Sequence, residues 1–334
     1  MKLKTEKQIE YLLKITDRIG LIEHCKYDQP NYNEGWCVDD NARALQVCLR
    51  YKQKKLDNVK LVYFNFLKSA LKKDGLSSDL NKDLSWKKVI GFEGEHCGRA
   101  LSALGETIKF DKQMASEAKK TFDKIYFKIN KNNPVVHFRE LAQIIIGLQD
   151  YHNNDIEYWA DKIVDQYNLK KDSNWKWFEP AITYDNGRIP LSLLVAYQTT
   201  KNKKYLNVAI ESLDFLTEKI INKKLKCFSF SGNKGWITKD GNRAIFDQQP
   251  IEAGSMVEVY VLAYKMTKKR KYKKLAETSM NWYFGKNISN VEMVDQKTGG
   301  VFDGLEKNKA NLNRGAEALL SYLIAVKEIE KIID

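Results

Sequence analysis

Six segments of this chain share one plan, in which a polar cluster leads directly into a long apolar run. They are DDNARALQVCLRY from Asp39, EHCGRALSALGETI from Glu95, HFRELAQIIIGLQDY from His137, DNGRIPLSLLVAYQTT from Asp185, DQQPIEAGSMVEVYVLAY from Asp247 and NLNRGAEALLSYLIAV from Asn311. A helix that is apolar on nearly every face is buried on every face. The six segments therefore predict six interior helices, related by a structural rather than a tandem repeat.

Amphipathic segments with lysine-rich faces lie between the apolar runs. They are predicted as outer helices at 5–19, 58–73, 113–128, 156–168, 203–222 and 269–286. In the fifth, Val208, Leu213, Phe215, Leu216 and Ile220 recur at helical spacing with charges between them. Six outer helices alternating with six inner ones predict an all-α, (α/α)6 toroid. No linker rich in Pro, Gly or Ser divides the chain, so a single domain is expected over 1–334.

Alternation has a geometric consequence for the polar clusters. All six inner helices run in one direction, so their amino ends gather at one end of the toroid and form a polar funnel. Helix amino ends favour anions and oxygen-rich ligands. Two segments between helices are predicted as excursions over this funnel: a short hairpin formed by 227–232 and 235–241, and an irregular segment at 291–304.

Composition excludes several classes of function. The formal net charge is +13, but the lysines are dispersed in pieces such as KQKK and KNKK, which indicates solvated surface rather than a nucleic-acid site. No apolar run approaches the roughly 20 residues of a membrane span. Five cysteines without CxxC spacing argue against a disulfide scaffold and a zinc site, so a reduced, cytoplasmic protein with no metal and no cofactor is expected.

Carboxylates are the candidate catalytic groups of the funnel. Glycoside hydrolysis needs two carboxyl groups across the scissile bond. The candidates are Asp40, Asp185 and Glu252, with Glu95 in reserve. Asp40 and Asp185 belong to ring positions one and four, which face each other in a ring of six. A structural role is the alternative, because Asp is favoured at helix caps and Glu252 follows a proline at a helix start.

Further polar and aromatic residues of the clusters are candidates for binding sugar. Aromatic faces stack on sugar rings, and carboxylates, amides and guanidinium groups hydrogen-bond sugar hydroxyls. The candidate binding residues are Trp36, Asp39, His96, Arg99, Trp177, Asn186, Arg188, Gln248, Gln249, Asn313 and Glu317. The same side chains also suit core packing and structural ion pairs.

The strings GWCVDDNARAL, WFEPAITYDNGRIP, FDQQPIEA and NLNRGAEALLSYL resemble the motifs of a family of toroid proteins, in family order from about residue 20 to 325. That family is similar in fold to the six-hairpin glycosidase superfamily. The resemblance implies a carbohydrate-active enzyme, in first place a glycoside hydrolase. The chain departs from the family at Cys97, where the pattern has SHGR, and at Arg314, where a glutamine is usual.

Three other functions stay open on the sequence. A sugar epimerase or isomerase would use His96 and His137 as acid and base. A phosphorylase would hold phosphate with Arg99 and Arg188. A non-catalytic carbohydrate-binding protein would act beside a glycosyltransferase partner. In each case the ligand is an oligosaccharide or polysaccharide, and neither nucleic acid nor membrane is expected as a partner.

Overall fold

The computed structural model describes residues 3–89, 91–129 and 137–333. Helices in these residues form two concentric layers. The outer layer consists of α1 (Glu6–Lys14), α3 (Asp57–Ala70), α5 (Ala115–Tyr126), α7 (Ile156–Lys170), α9 (Lys203–Ile220) and α11 (Arg270–Trp282). The inner layer consists of α2 (Val38–Tyr51), α4 (Glu95–Phe110), α6 (Phe138–Leu148), α8 (Arg188–Thr200), α10 (Pro250–Thr267) and α12 (Ala316–Ile329).

Each inner helix packs against the next one, and α12 packs against α2, which closes the ring. The predicted (α/α)6 toroid is therefore confirmed. Outer helices are amphipathic as expected: in α9 the residues Val208, Leu213, Phe215, Leu216 and Ile220 are all buried. Inner helices such as α12 are buried along nearly their whole length.

The tightest inner contact joins α4 and α6 through glycines. A Cβ atom on Gly105 would lie 2.4 Å from the carbonyl oxygen of Gly147, and a Cβ on Gly147 would lie 2.7 Å from the backbone of Leu101. Real Cβ atoms do not approach that closely, so only glycine permits this spacing. The two backbones are thus brought together where each helix carries no side chain.

Short antiparallel strand pairs connect the layers. They are β1 (Cys25–Lys26) with β2 (Gln29–Pro30), β3 (Trp36–Cys37) with β6 (Asp79–Leu80), β4 (Leu71–Lys72) with β5 (Gly75–Leu76), β7 (Ala181–Ile182) with β10 (Ile237–Thr238), β8 (Ile221–Asn222) with β9 (Cys227–Phe228), and β11 (Gly304–Glu306) with β12 (Lys309–Asn311). Two 3₁₀ turns, Lys54–Leu56 and Asn153–Asp155, precede outer helices.

The predicted hairpin between 227–232 and 235–241 is wrong in its pairing. Cys227 pairs with Asn222, and Ile237 pairs with Ile182. The chain that leaves α9 turns back at once, and Lys226 in this turn has a left-handed backbone conformation with φ 54°. As a result, β9 pairs with β8. The 291–304 excursion carries isolated bridges, including Val294 to Val301. None of the helices in the described ranges combines the length and apolar character that crossing a bilayer requires.

Candidate active site

The amino ends of α2, α10 and α12 surround a cavity of about 350 Å³, here called the funnel cavity. Its lining is dominated by carboxylates, with one arginine and one histidine beside them: Glu23, Asp39, Asp40, Asp79, Asp303, Glu317, Arg43 and His24. The predicted gathering of polar clusters at one end of the toroid is thus realised at ring positions one, five and six.

Arg43 on α2 holds two of these carboxylates. Its Nη1 donates to Asp40 Oδ1 at 2.7 Å and its Nη2 donates to Glu317 Oε2 at 3.0 Å. The Asp40 side chain is 4% exposed, whereas that of Glu317 is 41% exposed. Asp40 therefore serves as a buried counter-ion for Arg43, while Glu317 keeps an open face toward the cavity.

Arg99 on α4 connects three carboxylates from three inner-helix clusters. Its Nε donates to Glu95 Oε1 at 2.8 Å and lies 3.4 Å from Asp39 Oδ1, and its Nη2 donates to Asp185 Oδ2 at 2.9 Å. The Arg99 side chain is itself 4% exposed. An arginine this deeply buried needs its counter-charges in place, so it fixes their relative positions.

Asp185 and Glu252 form the side of the site that is buried away from solvent. Asp185 has no exposed surface, and its Oδ2 also lies 3.5 Å from Arg188 Nε. Although burial opposes ionisation, Arg188 and Arg99 hold the pKa of Asp185 well below its usual range. Glu252 accepts hydrogen bonds from the Asp185 backbone N–H at 2.6 Å and from Asn186 Nδ2 at 3.1 Å. Burial and the charge of Asp185 raise the pKa of Glu252 to about 7.

The helix starts differ from simple aspartate caps. Cys37, not Asp39, is the N-cap of α2, and its Sγ accepts from the Asp40 N–H at 3.4 Å. Asp185 precedes α8 in the left-handed region at φ 42°. Pro250 does occupy the first position of α10, with Glu252 in the first turn, as the sequence predicted.

Three half-exposed carboxylates on neighbouring inner helices differ in their tendency to ionise. For Glu317 and Asp39, burial within the funnel raises the pKa even though Arg43 and Arg99 oppose that rise. For Glu95, burial also disfavours the charge, but Arg99 and a hydrogen bond from Tyr184 lower the pKa. The Tyr184 hydroxyl donates to Glu95 Oε2 at 2.7 Å. The surroundings thus shift the pKa values of neighbouring carboxyl groups in opposite directions.

The exposed aromatic surface near these carboxylates is not the one that the sequence singled out for binding. Trp36 is 3% exposed and Trp177 is fully buried, so both rings pack inside the protein. Tyr184 and Trp236 are 38% and 41% exposed, with ring centroids 6.4 Å apart. Tyr184 also carries the hydroxyl bound to Glu95, which ties this aromatic pair to the site.

Several candidate binding residues are engaged in holding loops. Gln248 is fully buried, accepting from the Phe230 N–H and donating to the Ile245 carbonyl. Asn313 Oδ1 accepts from the Tyr27 N–H at 2.9 Å.

Two further candidates take different positions at the site. The Nε2 of His96 lies 3.0 Å from the Leu76 carbonyl oxygen, which leaves Nδ1 as its unassigned nitrogen. Gln249, by contrast, lines the funnel cavity at the N-cap of α10.

Residues of the loop before α2 are missing from the predicted site. Glu23 and His24 line the funnel cavity, and burial together with Asp40 and Asp79 raises the pKa of Glu23 to about 8. The loop from α1 to α2 opens at this end, so the EHC string at 23–25 joins the site once the ring is assembled.

A metal-like grouping occurs at the same place. The ligand atoms of Glu23, Cys37 and Asp40 lie within 4.8 Å of one another, the one such group among the described residues. Asp40 is already paired with Arg43, and burial keeps the Cys37 thiol pKa well above its usual value.

Comparisons with known proteins agree with this fold. Residues 155–299 match the family model described as Glycosyl Hydrolase Family 88. No curated protein sequence matches the chain. Among solved structures, a D-mannose isomerase has a TM-score of 0.75 at 14% identity, covering 98% of this chain and 96% of that one. A cellobiose 2-epimerase from Bacillus thermoamylovorans has a TM-score of 0.73 at 14% identity, covering 98% of each chain.

An α-mannanase of glycoside hydrolase family 76 from Bacteroides thetaiotaomicron has a TM-score of 0.62 at 11% identity, covering 97% of this chain and 94% of that one. At these identities the structures establish the fold alone, an (α/α)6 toroid. The family match over residues 155–299 supports a glycoside hydrolase, which would take an oligosaccharide or polysaccharide as substrate.

Proposed function

We propose that the chain hydrolyses glycosidic bonds at the funnel cavity with Glu317, which lines it, as general acid and Glu95, which Arg99 connects to the lining residue Asp39, as general base. One observation carries this assignment. The surroundings push the pKa of Glu317 up and the pKa of Glu95 down, and both side chains remain accessible. Carboxyl pairs whose pKa values are pushed apart are the usual mark of an acid and its base.

The residues that the sequence favoured for these roles are less accessible. Asp40 and Asp185 are buried in ion pairs with arginines, and Glu252 is 5% exposed beneath them. In this proposal they hold Arg43, Arg99 and the start of α8 in position. Glu95, the reserve candidate, takes the leading role, and Glu317 moves from substrate binding to catalysis.

The reaction follows from these protonation states. Glu317 donates its proton to the glycosidic oxygen as the bond from that oxygen to the anomeric carbon breaks. A water molecule adds to the anomeric carbon and gives its proton to the Glu95 carboxylate. Tyr184 keeps Glu95 ionised until that step, and Arg43 supports Glu317 once it has become an anion. Asp39, between them on α2, is proposed to bind a sugar hydroxyl.

Substrate binding is proposed to use the exposed Tyr184 and Trp236 rings, since aromatic faces stack on sugar rings. A cytoplasmic location is supported by five free cysteine thiols. A glycosyltransferase partner remains a proposal drawn from the sequence resemblance.

The test is product analysis on a panel of α- and β-linked oligosaccharides, with and without phosphate, read by mass and by sugar identity. Shorter chains formed by the wild type and lost in Glu317→Gln are the expected result. Sugar phosphates formed only with phosphate present would identify a phosphorylase instead. A changed sugar without chain cleavage would identify an epimerase, and an intact panel bound without turnover would identify a binding protein.

A further inference from the structure

A second cavity of about 440 Å³ lies along the carboxyl-terminal halves of the inner helices, here called the base cavity. Arg43, Arg99 and Arg188 line it. Arg43 also lines the funnel cavity, so these arginines lie between the two. We propose that the base cavity is a separate binding site for a phosphorylated monosaccharide, with the sugar inside and the phosphate at the lysine-bearing rim.

Two buried polar side chains in this cavity have no internal partner. Gln143 on α6 is 3% exposed and Ser321 on α12 is 7% exposed. Both line the cavity, and neither side chain hydrogen-bonds to any residue in the described part of the chain. Buried polar groups are nearly always bonded, so side chains without a partner in the protein are available to a molecule in the cavity. An amide and a hydroxyl left open toward a cavity match the hydroxyl groups of a sugar.

The walls and the volume suit a sugar ring. Leu191, Ile251 and Ile324 line the cavity between the polar groups and offer apolar surface to the C–H faces of a ring. Small-molecule sites commonly have volumes of roughly 300–1,000 Å³. The base cavity lies in that range and accommodates a hexose with one phosphate group.

The charges inside the cavity compensate one another. Arg50 donates to Glu106 and to Glu328, and its Nη1 lies 3.7 Å from Glu258. Glu258 also accepts from Arg188 at 2.8 Å. The interior therefore offers no unpaired carboxylate to repel an anion.

The rim carries a surplus of positive charge. Lys265, near the end of α10, lines the cavity and forms no ion pair with any described residue. Burial and the neighbouring Lys331 lower the pKa of Lys265. The carboxyl end of a helix favours cations, and an ammonium group held there without an ion pair is available to an anionic ligand. An unpaired ammonium group beside a second one is the setting in which a phosphate binds.

The experiment is calorimetric titration of the wild-type protein with glucose 6-phosphate and mannose 6-phosphate, and separately with glucose and inorganic phosphate. We expect a hexose phosphate to bind, and each half alone to bind at least tenfold more weakly. Gln143→Leu and Lys265→Met should each weaken that binding about tenfold, the equivalent of one lost hydrogen bond or charge contact. Lys224→Met, which removes the same charge from a turn at the funnel end, should leave it within twofold.

A Glu95→Gln, Glu317→Gln double variant separates this proposal from the proposed function. Hexose phosphate binding should persist in it, whatever its activity on glycans. Loss of binding there would place the ligand in the funnel and overturn the inference. Absence of binding to the wild type, or equal binding to Lys265→Met, would also overturn it. If Gln143→Leu does not fold, as judged by its melting curve, the partly exposed Lys265 variant decides the matter.

Discussion

The funnel cavity and the base cavity are built from the same six inner helices, but they differ in how completely their charged side chains are paired. At the base, Glu106, Glu258 and Glu328 each have an arginine or lysine partner. At the funnel, six carboxylates line a cavity that holds one arginine. Helix dipoles explain the sign at each end, acids at amino ends and lysines at carboxyl ends. They do not explain the surplus at the funnel, where burial, together with neighbouring carboxylates, raises the pKa values of Glu23 and Glu317.

The largest expected effect is on turnover at the funnel end. Glu317→Gln removes the proposed proton donor while keeping the side-chain shape, and should lower kcat about 10²- to 10⁴-fold. Initial rates on the substrate identified by product analysis measure this. Glu330→Gln, a change at the carboxyl end of the same helix and outside both cavities, should keep kcat. A Glu317→Gln variant with wild-type kcat would contradict the assignment.

The next effect compares the buried arginines of the two ends. Arg99→Met should lower the free energy of unfolding by about 3–5 kcal/mol, because it removes the arginine shared by Asp39, Glu95 and Asp185 and leaves the buried Asp185 with Arg188 alone. Arg50→Met should cost less, since the Arg50 side chain is 17% exposed against 4% for Arg99. Urea unfolding curves measure both. An equal or larger loss of stability in Arg50→Met would show that the ion pairs at the base are at least as well shielded from solvent as those at the funnel.

The third expected effect is a pH dependence of the free energy of unfolding that comes from the buried Glu252. The pKa of Glu252 is raised from 4.5 to about 7, so the native state binds a proton that the unfolded state releases. Stability from this group is full below pH 4.5 and falls by about 3 kcal/mol as the pH rises through 7.

Glu252→Gln should reduce the slope of stability against pH, measured by urea unfolding between pH 5 and 8, and leave the part that comes from Glu23, whose pKa is raised to about 8. Its amide nitrogen would face the Asn186 amide, so the variant should also be less stable at each pH. An unchanged slope would mean that another group titrates.

The smallest effect concerns the pH profile of kcat. Tyr184→Phe removes the hydrogen bond that helps to keep Glu95 ionised. The acidic limb of the profile should therefore shift to higher pH by up to about one unit, equal to about 1.4 kcal/mol. Trp236→Phe changes the neighbouring ring without touching that bond and should leave the limb in place. A shift in the Trp236 variant alone would assign the effect to stacking.

The architecture was predictable because the spacing of apolar residues along each helical segment indicates which faces of the helix are buried. Helices that are apolar all round have to lie inside, and alternation with amphipathic helices then sets their common direction. The strand pairings were less predictable, because two-residue strands carry almost no pattern. Cys227 pairs across a local turn, and Ile237 pairs with Ile182 from the separate segment before α8, so neither pairing follows from side-chain alternation.

The site was predictable as a region but less so as a set of roles. Asp40 and Glu317 stand in similar motifs, yet one is buried against Arg43 and the other opens to the cavity. Which tryptophan is exposed depends on packing between separate loops, and no local signal distinguishes Trp177 from Trp236. The loop residue Glu23 has no helical context of its own, so it is recognised only once the ring is assembled.

The funnel is completed late in synthesis, because the ring closes between the first and the last inner helix. Arg43 and Glu317 are partners separated by 274 residues. At a synthesis rate of roughly 5–20 residues per second, the arginine emerges from the ribosome on the order of tens of seconds before its carboxylate. Until then α2 lacks α12 as a neighbour, and its apolar flank is open to chaperones or to other chains. Slowing translation near the end of the message would lengthen that exposure without changing a single residue of the finished protein.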